Sequence, residues 1–511
     1  MKIIRQPIQL SIPFLAVLAL LACEPEVAVE GASWGGDVAG VTAIVGGTIL
    51  DPAGGTAREN AVLLVKDGLI LEFGPHDDVA VPPEATVIDA TGGFLLPGFI
   101  DAHAHVGLGP VLVSEVGGVP ALEMVHDREV ARRSLPLLLA HGITTALDPG
   151  GATDVLLDLR DRMRDRGLDG PDLRVAGHII DLSPFPGLVA TVSTPEDVSR
   201  EVARQADAGV DFIKLYAFLS PEHVAAGVAA AEARGIPVLI HPFLTTWTEA
   251  ARLGVDAVLH ITPGSLDLVP ETARESLLAD MQRGTLFMFT WFEVADLHGP
   301  EMSEAIAALA ERRVAVDPTL VFFDMTMRSD GPAVTRAEEL RWVAPSLVEN
   351  WRTTFHMTMG WTENDFDRAR AAWPRMLELT RLLHEAGVPL TAGTDANNPW
   401  IIPGLSFHRE LELLVEAGLS PLDVLDIATR GNARHAGVLE DRGTIEAGKR
   451  ADLVLLRSDP RDDISATRDI EWVMKGGTLR RPEELLAEVD SVWSPSDYPP
   501  GARRKVPAER H

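Results

Sequence analysis

The chain has one cysteine in 511 residues, Cys23, so it can form no internal disulfide and no thiolate-built metal site. Positive charge is also scarce: 45 Lys and Arg stand against 75 Asp and Glu, a formal net charge of −30. That balance argues against nucleic acid or an anionic membrane surface as a partner, since both require basic patches. Long apolar runs are nearly absent. The segment from Ile12 to Leu21 is too short to span a bilayer as a permanent helix. Tyrosine occurs twice. What remains, 46% hydrophobic and 23% charged residues, is the composition of a soluble globular protein.

The first residues are read as a leader. Lys2 and Arg5 precede the apolar stretch, which ends in Leu20-Leu21-Ala22-Cys23. This resembles a bacterial lipoprotein signal with its lipobox. The resemblance implies lipidation at Cys23, export, and anchoring at the periplasmic face of the envelope. Residues 1–23 are then the signal peptide and 24–40, rich in Glu, Gly and Ala, a linker.

From Val41 the pattern is β. Val41 to Leu50 is expected to be a strand pair broken at Gly46-Gly47. Ala61–Val65 and Leu69–Leu71, joined across Asp67-Gly68, predict a hairpin, and Thr86–Asp89 another strand. Downstream, short apolar runs ending in polar residues alternate with Ala-, Leu-, Glu- and Arg-rich helical segments. The run ending in His105 is the first predicted strand. The others are Thr144–Leu147, Leu173–Ile180, Phe212–Tyr216, Val238–His241, Ala257–His260, Val314–Leu320 and Leu390–Thr394. Eight such repeats predict an α/β fold, a (β/α)8 TIM barrel over 94–436 with its site at the C-terminal strand ends. Short β segments return at Gly443–Gly448, Ala451–Leu456 and Glu471–Met474. Residues 41–93 and 437–485 are expected to form a composite β-sandwich domain. Residues 486–511 are expected to have little order, with Pro and Arg dominant beyond Ser494.

The most informative stretch is Leu95-Leu-Pro-Gly-Phe-Ile-Asp-Ala-His103-Ala-His105, two histidines two residues apart behind an apolar run. On a strand both imidazoles face one side, and neutral imidazole is the commonest metal ligand. Chance alone gives roughly 0.4 His-x-His pairs here, so the context decides. Lys214 lies in the apolar Asp211-Phe-Ile-Lys-Leu-Tyr216, where an unpaired ammonium is costly. His241 and His260 each close an apolar strand run, and Asp395 closes Leu390-Thr-Ala-Gly-Thr-Asp.

Pro-Gly-Phe-Ile-Asp-Ala-His-Ala-His resembles the opening strand of the amidohydrolase superfamily barrel. Gly443 to Leu456 is similar to that family's return segment, and Phe407 to Pro421 resembles its imidazolonepropionase-like and prolidase-like members. The resemblance implies two divalent metal ions, held by His103, His105 and Asp395 on one side and by His241 and His260 on the other. Lys214, carbamylated, would bridge them. An all-nitrogen and oxygen set of this kind suits Zn²⁺ first, and admits Mn²⁺, Co²⁺, Fe²⁺ or Ni²⁺. The implied chemistry is attack of a metal-bridged hydroxide on an amide carbonyl. Asp395 would act as general base and then acid, and Tyr216, on the face of Lys214, would be a hydrogen-bond donor.

The expected substrate is a small-molecule amide or peptide: a dipeptide or an N-acyl amino acid. The alternatives are a cyclic amide, as in imidazolonepropionases, and a non-catalytic metal-binding lipoprotein. Arg409 is a weak candidate for a substrate carboxylate. A homo-oligomer is compatible with this reading. Seven of the ten tryptophans fall between Trp247 and Trp400. Those from Trp342 to Trp373 fit the core of an extra helical hairpin, or an apolar lid over the site.

Overall fold

The computed structural model describes residues 39–490, apart from 117, 167–168 and 282. Cys23, the leader and most of the linker lie outside the described residues, as do 491–511. Among the described residues no helix is long and apolar enough to cross a membrane.

The terminal segments share one eight-stranded sheet. Its order is Thr478–Arg480, Ile470–Lys475, Leu453–Leu456, Phe94–Pro97, Thr42–Asp51, Thr56–Lys66, Leu69–Pro75, with Thr86–Asp89 parallel to Thr42–Asp51. Leu453–Leu456 pairs antiparallel with Phe94–Pro97, so the strands before and after the middle of the chain are joined by backbone hydrogen bonds. The sheet bends until a bridge joins Leu69 to Arg450. Its inner face, including Ile44, Leu63, Leu95, Leu453 and Leu455, packs around Trp472 and Met474. Hydrogen bonding thus joins these strands into one curled sheet.

Two expectations for this region change. Gly46-Gly47 does not divide two strands. Thr42–Asp51 is a single strand bulged at that point, because Gly46 has φ +83° and a Cβ there would lie 2.4 Å from Thr91 Oγ1. Gly443–Gly448 is a turn segment and not a strand: its bounding glycines, at φ +90° and +88°, lie in the left-handed region that ends an extended run. The Asp67-Gly68 hairpin is as expected, with both turn residues at positive φ. At the C-terminal end, helix Pro482–Asp490 runs past residue 485 and buries Leu485 and Val489.

The middle of the chain is a succession of parallel pairings. Phe99–Asp101 pairs with Ile143–Asp148, which pairs with Asp172–Val175. Ile179–Asp181 pairs with Ile213–Leu215, followed by Val238–Ile240, Ala257–Leu259 and Ala315–Asp317. The predicted strand Leu173–Ile180 is therefore interrupted at 176–178. Leu390–Thr394 is extended but forms only isolated bridges, Val316 to Leu390 and Ala104 to Ala396. Asn432 compensates: its side-chain amide donates to the carbonyls of Ile100 and Ala392 and accepts from Ala392 N, stitching the first strand to this last segment. An antiparallel hairpin, Val111–Val116 with Val119–Met124, rises beyond the first strand.

Candidate metal centre

Most of the parallel strands end either in a carboxylate, as at Asp101, Asp148, Asp181 and Asp317, or in an apolar residue followed by a polar or aromatic one, as at Leu215-Tyr216, Ile240-His241 and Leu259-His260. That places chemistry-bearing side chains at one end of the parallel array. His103, His105, Lys214, Tyr216, His241, His260 and Asp395, all expected from the sequence, line one cavity of about 220 Å³. The regular strand stops at Asp101, before the histidines. The Ala104 to Ala396 bridge carries the alternation onward, so His103 and His105 still face the same side.

Asp395 is the hub. Its Oδ1 lies 3.2 Å from His103 Nε2 and 3.3 Å from His105 Nε2, and it accepts from Asn398 Nδ2 at 2.8 Å. The far nitrogens are already committed. His103 Nδ1 donates to Asp317 at 2.9 Å, and His105 Nδ1 to the Gly150 carbonyl at 3.1 Å. His260 Nδ1 donates to Thr319 Oγ1 at 2.7 Å. Each Nε2 is therefore the atom left to offer a lone pair. His241 Nδ1 is buried and has no partner among the described residues. The ring centroids of His241 and His260 are 4.5 Å apart, and those of His103 and His260 5.2 Å. His103, His105 and Asp395 present ligand atoms all within 4.8 Å of one another, a group able to hold a metal ion.

The electrostatics divide the set. Burial lowers His103 and His105, but Asp395 with Asp317 raises the first, and Asp148 with Asp395 raises the second to about 9, so a metal ion would displace a proton from each Nε2. Burial lowers His241 to about 3 and holds His260 well below the usual range, so both are neutral and able to coordinate. Burial opposes ionisation of Asp395, but His103 and His105 outweigh it and hold the carboxyl well below its usual value. Lys214, 2% exposed, is lowered to about 7 by burial, against the pull of Asp395 and Asp317. Burial raises the Tyr216 phenol, as do Asp395 and Asp181, so it remains a donor.

Backbone strain is concentrated here. His260 (φ +69°), Asp395 (φ +60°) and Thr319 (φ +46°) adopt left-handed conformations that non-glycine residues avoid. Such residues cost on the order of 1–3 kcal/mol each and persist where the surroundings over-determine them.

A family model described as the amidohydrolase family matches residues 94–480. The chain belongs to the amidohydrolase family. It is a hydrolase acting on carbon–nitrogen bonds, and its family's fold is a TIM barrel of α/β content. An imidazolonepropionase of Brevibacillus brevis is 23% identical over 84% of this chain and 92% of its own length. Among solved structures, a bottromycin amidohydrolase superposes with TM-score 0.65 at 26% identity, covering 88% of this chain and 90% of that one. A Xaa-Pro dipeptidase with bound methionine in its active site gives TM-score 0.63 at 20% identity, covering 86% and 100%.

Several residues of this amidohydrolase site escape a sequence reading. Asp317 orients His103, Thr319 orients His260, and Asp101 accepts from Thr394 Oγ1 and the His103 backbone. Asp317 carries the signal that revealed Asp395, an apolar run ending in a carboxylate. The predicted strand extended to Leu320 and so enclosed it. Arg409 lies elsewhere, paired with Asp324 and Glu412. Of the Trp-rich insertion, Phe355 and Met357 line the cavity, whereas Trp351 and Trp373 are buried in packing cores.

Proposed function

We propose that this protein hydrolyses an amide bond at a centre of two divalent metal ions, with Zn²⁺ the first choice. His103, His105, Asp395, His241 and His260 would hold them, with carbamylated Lys214 between. The observation that carries the reading is the convergence of His103 Nε2 and His105 Nε2 on Asp395 Oδ1, with both Nδ1 atoms committed elsewhere. The orphaned Nδ1 of His241 fits the same set. When bound, the metal centre supplies Lewis acidity and an acidified water.

The chain's own residues do the rest. Asp395 takes a proton and returns it to the leaving nitrogen. Tyr216 donates to the substrate oxygen. Carbamylation requires a neutral amine. An ordinary lysine is less than about 0.1% neutral at pH 7, whereas a group titrating near 7 is roughly half neutral.

The array is proposed to close as an eight-stranded barrel over 94–436, the segment 390–395 completing the ring, with residues 41–93 and 437–485 as its sandwich-like companion. Export and anchoring through Cys23 belong to the same proposal. A second reading, ring opening of a cyclic amide, is favoured by the name of the Brevibacillus relative.

The test is hydrolysis by protein loaded with Zn²⁺ and bicarbonate, followed by mass spectrometry over acyclic and cyclic amides. Cleavage abolished by Asp395→Asn and Lys214→Ala supports the reading. Cleavage that survives both substitutions refutes it.

A further inference from the structure

We infer that the amides this site accepts are uncharged and apolar, lacking the free carboxylate of a dipeptide or an N-acyl amino acid. This rests on the amide-hydrolase reading and narrows its substrate. Beyond the ligand cluster, the cavity wall is built by Leu108 and Val111 from the hairpin side, Phe185 and Leu188 from the loop after Ile179–Asp181, and Phe355 and Met357 from the insertion. Among the described lining residues outside the cluster, Thr285 and Asn398 are the polar ones besides Tyr216, and none of the three is cationic. Thr285 Oγ1 already donates to the Met357 carbonyl, and Asn398 Nδ2 to Asp395.

No arginine lines the cavity among the described residues, and Arg283, Arg328 and Arg409 are committed to carboxylates. Arg283, two residues from Thr285, pairs with buried Asp365. Arg328 and Arg409 both pair with Asp324. A substrate carboxylate seated against this wall, away from the metal ligands, would lose its water and gain no cation from the lining side chains, which is far more costly than burying a neutral group.

In the metal-free protein, long-range charge acts in the same sense. The chain carries −30, and Asp148, Asp181, Asp317 and Asp395 lie buried around the strand ends. Apolar character also continues outward: Val113, Phe218 and Leu244 follow two or three residues after lining residues Val111, Tyr216 and His241, and all three are exposed.

The experiment compares N-acetylphenethylamine with N-acetylphenylalanine, which differ only by the carboxylate. Water added across the C–N bond of each releases acetate and the free amine, phenethylamine or phenylalanine, read by mass spectrometry. Protein loaded with Zn²⁺ and bicarbonate is expected to favour the neutral amide at least 100-fold in kcat/KM. Titration calorimetry of the metal-free protein is expected to give at least tenfold tighter binding of the neutral compound. Leu188→Arg, which offers the carboxylate a partner, should cut the kcat/KM preference at least tenfold. Equal or better turnover and binding of N-acetylphenylalanine by the unaltered protein would overturn the inference. Selective binding of the neutral compound with neither amide cleaved would instead overturn the hydrolytic reading, leaving the selectivity of the wall intact.

Discussion

Replacing Asp317 by Asn separates the role of this carboxylate in the metal site from any role in folding. His103 Nδ1 donates to Asp317 Oδ2 at 2.9 Å, and both side chains are 1% exposed. The carboxylate holds the ring with Nε2 toward Asp395 and increases the basicity of that nitrogen. Outer partners of this kind are worth about 10–100-fold in metal affinity, or roughly 1.4–2.8 kcal/mol. The effect on folding has the opposite sign. Asp317 Oδ1 is buried without a partner among the described residues, so a neutral amide of the same shape relieves a desolvation cost. Zn²⁺ affinity, measured by competition with a chromogenic chelator, should fall at least tenfold. The midpoint of urea unfolding of the metal-free protein should stay level or rise. Affinity within threefold of the parent, or loss of metal-free stability by more than about 2 kcal/mol, would refute the reasoning.

Five further substitutions follow from the same structure. Asp172 is partly burdened by burial, but Lys475, Arg442 and Arg450 hold its carboxyl down at about 2 from 3.8. Because the folded value is depressed, its contribution of about 2 kcal/mol is complete above pH 4 and disappears as pH falls toward 2. Urea titrations should show that Asp172→Asn removes this slope. Glu410 is raised well above its usual range by burial, while it accepts from Leu320 N and Val321 N at the start of a helix. A raised carboxyl loses stability as pH rises, so Glu410→Gln should stabilise the fold more at pH 8 than at pH 5. Gly393→Ala would set a Cβ 2.5 Å from both Asp317 Oδ2 and His103 Cβ; overpacking of about 1–3 kcal/mol and weakened Zn²⁺ binding are expected from unfolding curves and chelator competition. Phe355→Ala should raise KM with little loss of stability, whereas Trp351→Ala, in a buried cluster, should cost about 3–5 kcal/mol in unfolding free energy.

The site was legible wherever an apolar run ended abruptly in a ligand-type side chain. His103, His105, Lys214, His241, His260 and Asp395 all share that signature, and the structure gathers them in one cavity. Asp317 shares it too but was hidden by the apolar residues that follow; Leu320 belongs to a helix and not to the strand. The hairpin of Val111–Val116 and Val119–Met124 has its signal in the sequence, a Gly-Gly pair between two apolar runs. Other features leave no local trace. Asn432 joins residues hundreds of positions apart, and the cavity wall draws single residues from separate loops. The last strand misled because its apolar pattern is that of a strand, while its backbone spends its hydrogen bonds on isolated bridges and on Asn432.

The most direct test of the account is the zinc content of protein saturated in Zn²⁺ and bicarbonate and then freed of loose metal, compared with Lys214→Ala treated alike. The account predicts two zinc ions per chain in the parent and at most one in the variant. A single ion in both, or none in either, would contradict a bridged binuclear centre.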